Sequence, residues 1–210
     1  MHKTSKAARL GSYRGFTMIE LMIAIVVMGV LLALALPSFN DLFMRYRVST
    51  ASAQITNALQ FARASAISSR SNTGVSSAAQ CLEKDDWSCG VHVWRDPENK
   101  GEEDLTLLED TNDPTSKVNP RKTIDASSFK RVNARFVSSS GQENVIYSPL
   151  GFAVGANGVV AATSAIYVWP ADWDDPQTRP EYTHTICLGV GGKISVVSGW
   201  VDITSGNQCG

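Results

Sequence analysis

The sequence predicts an α+β fold in which a long N-terminal helix packs on a β-rich head, and three observations carry that expectation. From Leu21 to Asn40 the chain runs for twenty residues without a charge. From there to about Ser69, apolar residues recur at helical spacing. After Asn72, serines, glycines and β-branched residues rise, and short alternating runs replace the helical period. The 210 residues suit one ordinary domain with an appendage.

Charge is distributed unevenly along the chain. Residues 1–15 hold Lys3, Lys6, Arg9 and Arg14 and no acid, so the remainder sets 15 basic side chains against all 20 acidic ones, a formal −5. A basic head precedes an acidic body. Twenty helical residues at about 1.5 Å rise span a hydrocarbon core of roughly 30 Å, so 21–40 reads as a membrane segment. Basic residues before it favour a cytoplasmic N-terminus and place the rest of the chain outside.

Two general readings of such an N-terminus leave Glu20 unexplained. A cleavable secretory signal would use the A-x-A-like site at Ala33–Ala35. A permanent single-span anchor would also insert. In either case a carboxylate at the start of the apolar run brings a cost and no benefit, although near the interface that cost is small.

The helix is expected to continue past the membrane face. Ile55, Leu59, Ala62 and Ala66 fall at helical spacing, with Gln54, Asn57, Arg63 and Ser65 among the intervening positions. Pro37 lacks the amide that would reach back to Ala33, and its ring crowds that carbonyl, so a kink is expected there. A helix from about Phe16 to Ser69 would be roughly 80 Å long. The division expected is a leader over 1–15, an apolar helix over 16–40, an amphipathic second half over 41–71 and a head over 72–210.

In the head, strand-like runs occur at 90–94 (GVHVW), 104–108 (DLTLL), 132–137 (VNARFV), 144–148 (NVIYS) and 165–169 (AIYVW). The stretch THTICLGVGGKISVVS reads as a hairpin whose two-residue turn uses Gly191-Gly192. Segments 96–104, 110–128 and 170–182 read as loops.

Cys81, Cys89, Cys187 and Cys209 all fall in the external part, where oxidation is permitted. Three pairings are possible, and locality favours Cys81–Cys89 with Cys187–Cys209. Zinc is disfavoured because no C-x₂-C pair exists. No catalytic constellation is visible. His92 and His184 lie on strand-like runs without a nucleophile motif, and GVGGKIS places Ile194 where a phosphate loop requires Ser or Thr. Asp172, Asp174, Asp175 and the acids near Glu102 meet no calcium-loop spacing. No cofactor and no metal are expected.

The N-terminal motif carries a specific resemblance. RGFTMIEL, behind a short basic leader and ahead of the apolar run, resembles the type IV prepilin signature. The resemblance implies that a membrane prepilin peptidase cuts between Gly15 and Phe16 on the cytoplasmic side and methylates the new amine of Phe16. It identifies Glu20 with the glutamate at the fifth mature position. Pro37 falls at the twenty-second mature position, where many pilins also carry proline. A carboxylate in an apolar environment is costly unless paired, and the new amine of Phe16, or that of a neighbouring subunit, is a suitable cation. Glu20 is therefore expected to act as an assembly latch.

Within pilins, the head resembles the GspH/FimT family, through CLEKDDWSCGVHVW, VIYSPLGFAVGANG and the closing GGKISVV. That family includes FimU-type minor pilins of type IV pili and the H-type pseudopilin of type II secretion. The resemblance implies a pilin fold with an antiparallel β-sheet head against the helix. It also implies a minor subunit near a filament tip that helps to start assembly. The partners implied are the peptidase, other major and minor pilins or pseudopilins, and the inner membrane before assembly, with the head in the periplasm of a Gram-negative cell.

A third functional class is the DNA-binding minor pilin, whose branch carries a Gly-Arg-x-Arg element near the C-terminus. Here the tail reads GWVDITSGNQCG, with no Lys or Arg after Ser195. Arg121, Lys122, Lys130, Arg131 and Arg135 are the basic residues that gather elsewhere, and on one strand Arg131 and Arg135 would share a face. A solvated edge strand, whose charges block unwanted pairing, is the better explanation of them, and no appreciable DNA affinity is expected.

Overall fold

One helix, α1 (Met18–Ser69), opens the fold. The computed structural model describes residues 15–78, 81–96, 122–139, 141–154, 164–189 and 191–203, without the side chains of 35–38. Two compact units make up the chain, Met1–Leu42 and Phe43–Gly210.

Among the described residues no single straight helix is long and apolar enough to cross a membrane. Met18–Leu34 and Phe39–Ser69 pass that test together, as a bent pair. Pro37 falls between the two stretches, and its side chain lies outside the described residues. The helix ends where Arg70 takes a left-handed conformation, φ 53°, which a side chain enters only at some cost.

The second half of α1 buries one face completely. Val48, Ala51, Ile55, Ala58, Leu59, Ala62 and Ala66 have no solvent exposure. Four of these seven are alanines, so the helix backbone can approach the sheets closely, while Ile55 and Leu59 supply the bulk. Ser65, expected on the polar side, is also buried.

Nine strands come after the helix: β1 (Asn72–Ser77), β2 (Gly90–Asp96), β3 (Lys122–Asp125), β4 (Val132–Ser138), β5 (Val145–Tyr147), β6 (Ala153–Val154), β7 (Ser164–Pro170), β8 (His184–Leu188) and β9 (Ile194–Ser198). They form two sheets, β3-β2-β1-β5-β6 and β4-β7-β8-β9, and each pairing of neighbours is antiparallel. One core joins α1 to both sheets through Val75, Val91, Val93 and Tyr147 from the first and Phe136, Ile166, Val168 and Ile186 from the second. On the opposite face of β7, Ala165, Tyr167 and Trp169 pack with Trp173, Trp200 and Ile203. Covered on both faces, β7 is buried throughout.

Two expectations are corrected here. Segment 110–128 reads as a loop in the sequence, but β3 lies within it and a 3₁₀ turn, Ala126–Phe129, begins in it. Only Ile124 of β3 is buried, so the run carries no alternation of its own and takes its extended form from pairing with β2. The β8–β9 connection occupies 189–193 rather than two residues, because the register sets Leu188 opposite Ile194. Gly192 adopts φ 74°, and Arg63 of α1 holds the turn by donating to the carbonyls of Gly191 and Gly151. The expected run 104–108 lies outside the described residues.

The loop between β1 and β2 links the two sheets. Trp87 N–H donates to the Ala134 carbonyl and Phe136 N–H to that of Asp85, so 85–87 lies along the outer edge of β4. The Trp87 indole is buried and stacks on Phe136 with ring centroids 5.4 Å apart. Cys81–Cys89 closes this loop, with 5.7 Å between α-carbons. Cys187 is disulfide-bonded as well, and Cys209, its expected partner, lies outside the described residues. Replacing Cys81 and Cys89 together with serine is expected to cost about 2–3 kcal/mol by releasing a short loop in the unfolded chain. A two-state denaturant titration checks it, and no change in midpoint would refute it.

Candidate functional site: a capped helix start and an apolar stretch

At the start of α1, Thr17 and Glu20 bond reciprocally. Thr17 donates its amide and its hydroxyl to Glu20 Oε2, each at 3.0 Å, and Glu20 N–H donates to Thr17 Oγ1 at 3.3 Å. This is a capping box: Thr17 is the N-cap, Glu20 the third helical residue, and two otherwise orphaned amides are satisfied. It also explains why the helix begins at Met18 rather than Phe16. Reasoning from the sequence missed it, although T-x-x-E ahead of an apolar run is the signal that finds it.

The cap holds the Glu20 carboxylate back toward the chain start, three residues from Thr17 and four from Phe16. Phe16 is 87% exposed. Around Gly15 nothing lies within 4 Å of where a Cβ would stand, so nothing inside the described chain requires glycine there.

Behind the cap, apolar side chains from Ile19 to Leu34, and again at Phe39, Leu42 and Phe43, are more than half exposed. Monomeric soluble proteins rarely expose contiguous apolar surface on this scale, which marks a membrane or a protein interface. The helix start therefore combines a fixed carboxylate with a large surface that needs apolar company.

The other candidate residues do not assemble into a site. Arg131 precedes β4 at φ 61° and pairs with Asp172 at 3.0 Å. Arg135, on β4, pairs with Asp85 at 2.7 Å and Glu83 at 3.7 Å, and the Asp85 hydrogen bond raises its guanidinium pKa. The two do not share a strand face, because Arg131 lies in the turn before β4, and acids pair with both; Arg135 sits on β4 at the edge of its sheet, as the edge-strand reading has it. Arg121 lies outside the described residues. Purified chain at micromolar concentration is expected to shift no DNA in a salt titration by gel mobility. Salt-sensitive binding lost on replacing Arg131 and Arg135 with alanine would overturn this.

His92 is buried on β2, with Nε2 3.3 Å from Ser76 Oγ, and His184 is half-buried on β8, where desolvation pushes its pKa down. Asp172 is engaged by Arg131, and Asp175 Oδ1 accepts the Gln177 amide. Among the described residues, no group of three or more His, Cys, Asp or Glu is placed to hold a metal ion.

Comparison with known proteins agrees with this arrangement. Residues 11–36 match the family model of the prokaryotic N-terminal methylation motif, so the segment that contains Gly15, Phe16, Thr17 and Glu20 is a prepilin-type N-terminus. That motif, together with a long helix on antiparallel sheets, defines the class as a type IV pilin-like protein. Residues 51–188, more than half of the chain, match the family described as Type II transport protein GspH, and the chain belongs to that family.

Curated relatives match over short stretches of the chain. A fimbrial protein of Moraxella nonliquefaciens is 48% identical over 42 residues, 20% of this chain and 27% of that protein. The type IV major fimbrial protein FimA of Dichelobacter nodosus is 50% identical over 36 residues, 17% of this chain and 22% of that protein. The chain thus spans about a quarter of the length of these relatives. Among solved structures, the type IV minor pilin FimU of Pseudomonas aeruginosa aligns with a TM-score of 0.47 at 16% identity, covering 73% of this chain and 90% of that one.

Proposed function

We propose that this protein is a minor pilin of a type IV pilus, of the FimU/FimT kind, incorporated near the filament tip, where it helps to initiate assembly. The observation that supports this reading is the joining of a capped carboxylate at the methylation motif to a long, exposed apolar helix. In this reading the inner membrane covers the apolar stretch before assembly, with the head in the periplasm, and neighbouring subunits cover it afterwards. Cutting between Gly15 and Phe16 creates an amine one residue from the amide that Glu20 already holds. The carboxylate then has a cation to pair with in its own chain or the next. Pro37 supplies a kink in this stretch by removing one helical bond.

The test is processing. Co-expression with a prepilin peptidase is expected to remove residues 1–15 and leave methylated Phe16, read by intact mass. Cleavage after Ala35, or none, would defeat the proposal. Because Gly15 has open space around it, an effect of Gly15→Ala on cleavage would arise at the peptidase and not in the fold.

A second reading has one observation in its favour, the description of the matching family as a type II transport protein. In that reading the same features serve an H-type minor pseudopilin. Deleting the gene decides between them: loss of surface filaments with secretion intact supports the pilus, and the reverse supports the secretion machine. The family and fold are those of structural pilins, not enzymes.

A further inference from the structure

The second sheet packs one face against α1 and turns the other outward, and the outward face is grooved. Arg135 of β4 stands opposite Tyr167 of β7, so the two share that face with Trp169, two residues further along. Loops rise on both sides of them. The segment after β7 brings Asp174, Asp175 and Pro176, and the segment after β9 brings Trp200 and Asp202. The open groove between them has a volume of about 460 Å³.

Bonds within the fold set its shape in advance. Trp169 Nε1–H donates to the Trp173 carbonyl at 2.9 Å, and Thr183 Oγ1 donates to that of Pro176 at 2.8 Å. On the other side the Tyr167 hydroxyl donates to the Val201 carbonyl at 2.7 Å, and Val201 N–H donates to Thr185 Oγ1 at 3.2 Å. Trp200 stacks on Tyr167 with ring centroids 6.3 Å apart. A groove ordered beforehand loses little entropy when it is filled.

Charge selects what can fill it. Asp174, Asp175 and Asp202 line the groove, and the cation among them, Arg135, is already paired with Asp85 and Glu83. The balance is negative over an aromatic base, which repels phosphates and acidic sugars. A guanidinium suits both features. It is planar, stacks on aromatic rings and offers carboxylates a fork of N–H donors, while its methylene stem lies along apolar surface.

We propose that this groove receives an arginine side chain carried by an extended segment of a partner protein. The guanidinium lies among Asp174, Asp175 and Asp202, and the stem lies against Trp200. Tryptophan, tyrosine and arginine are the residues that most often dominate the energy of protein interfaces. The groove is on the face of the sheet away from α1, so contacts made by the helix leave it open. The proposal depends neither on the choice of filament nor on peptidase processing.

Arginine-bearing peptides coat any acidic surface, so the experiment must locate the binding. The probe is a fluorescein-labelled alanine peptide with two arginines, titrated with full-length chain in detergent and read by anisotropy. It is expected to bind saturably and more weakly as salt rises. The same peptide with citrulline, which keeps the shape and loses the charge, or with glutamate, is expected to bind at least tenfold more weakly. Asp174→Asn, at an exposed position on the groove wall, is expected to lower affinity about two- to five-fold, the scale of one exposed ion pair. Trp200→Ala is expected to lower it about tenfold, with the melting midpoint measured alongside. Asp125→Asn makes the same charge change on β3 of the other sheet and is expected to leave binding unchanged. Equal binding of the arginine and citrulline peptides, equal losses for Asp125→Asn and Asp174→Asn, or no saturable binding at millimolar concentration would each overturn the proposal.

Discussion

Glu20→Ala is expected to insert into membranes as well as the wild-type chain and to be lost from sheared filaments. Removing the carboxylate lowers the insertion cost, so the defect should arise at assembly. The same change also deletes half of the capping box, worth on the order of 1 kcal/mol at a helix start, and the two effects must be separated. Glu20→Gln does so from one side, because an amide oxygen can still accept the Thr17 bonds while the charge is gone. Thr17→Ala does so from the other, since it leaves the charge and removes the cap. If pairing with the amine of Phe16 drives assembly, Glu20→Gln fails like Glu20→Ala, and Thr17→Ala is incorporated. Incorporation of Glu20→Gln at the wild-type level, by immunoblot of sheared filaments, would sink the latch and leave only the cap.

Leu59→Ala is expected to cost about 2–5 kcal/mol of head stability, a large share of the roughly 5–15 kcal/mol typical of a domain. Leu59 is fully buried where α1 meets both sheets, and the alanines on the same helix face leave few side chains able to fill the cavity. Gly74 tests the opposite error. It sits on β1 opposite Trp94, and a Cβ there would overlap the Trp94 indole, whose Nε1–H is fixed by donating to Ser76 Oγ at 3.0 Å. Gly74→Ala is therefore expected to cost about 1–3 kcal/mol by overpacking. Chemical denaturation checks both, and a Leu59→Ala midpoint within error of wild type would mean that α1 does not anchor the head.

Strands with strong internal alternation are legible in the amino-acid pattern. GVHVW, VNARFV, NVIYS, AIYVW and the β8–β9 pair all stand where that pattern puts them. β1 is not legible in this way: NTGVSS has one large apolar residue, and its extended form comes from β2 on one side and β5 on the other. β3 and β6 escape for a related reason, each being too short to show a period. Of the candidate site, Gly15, Phe16 and Glu20 can be named from their motif, whereas the tie between Glu20 and Thr17 is written in the same stretch as a capping signature and emerged only with the bonds in place.

The sequence by itself determined what depends on neighbours along the chain: the basic N-terminal stretch, the apolar run, the buried face of α1, the cap signature and the strongly alternating strands. Tertiary structure alone decided the division into two sheets, the addition of 85–87 to the edge of β4, and the pairing of Arg131 with Asp172 and of Arg135 with Asp85. Helix periodicity and capping are settled within a few residues, by bonds that close locally. Sheet order and charge pairing join residues tens of positions apart, such as Asp85 and Arg135, and no local pattern encodes which distant partner the closed core will bring near.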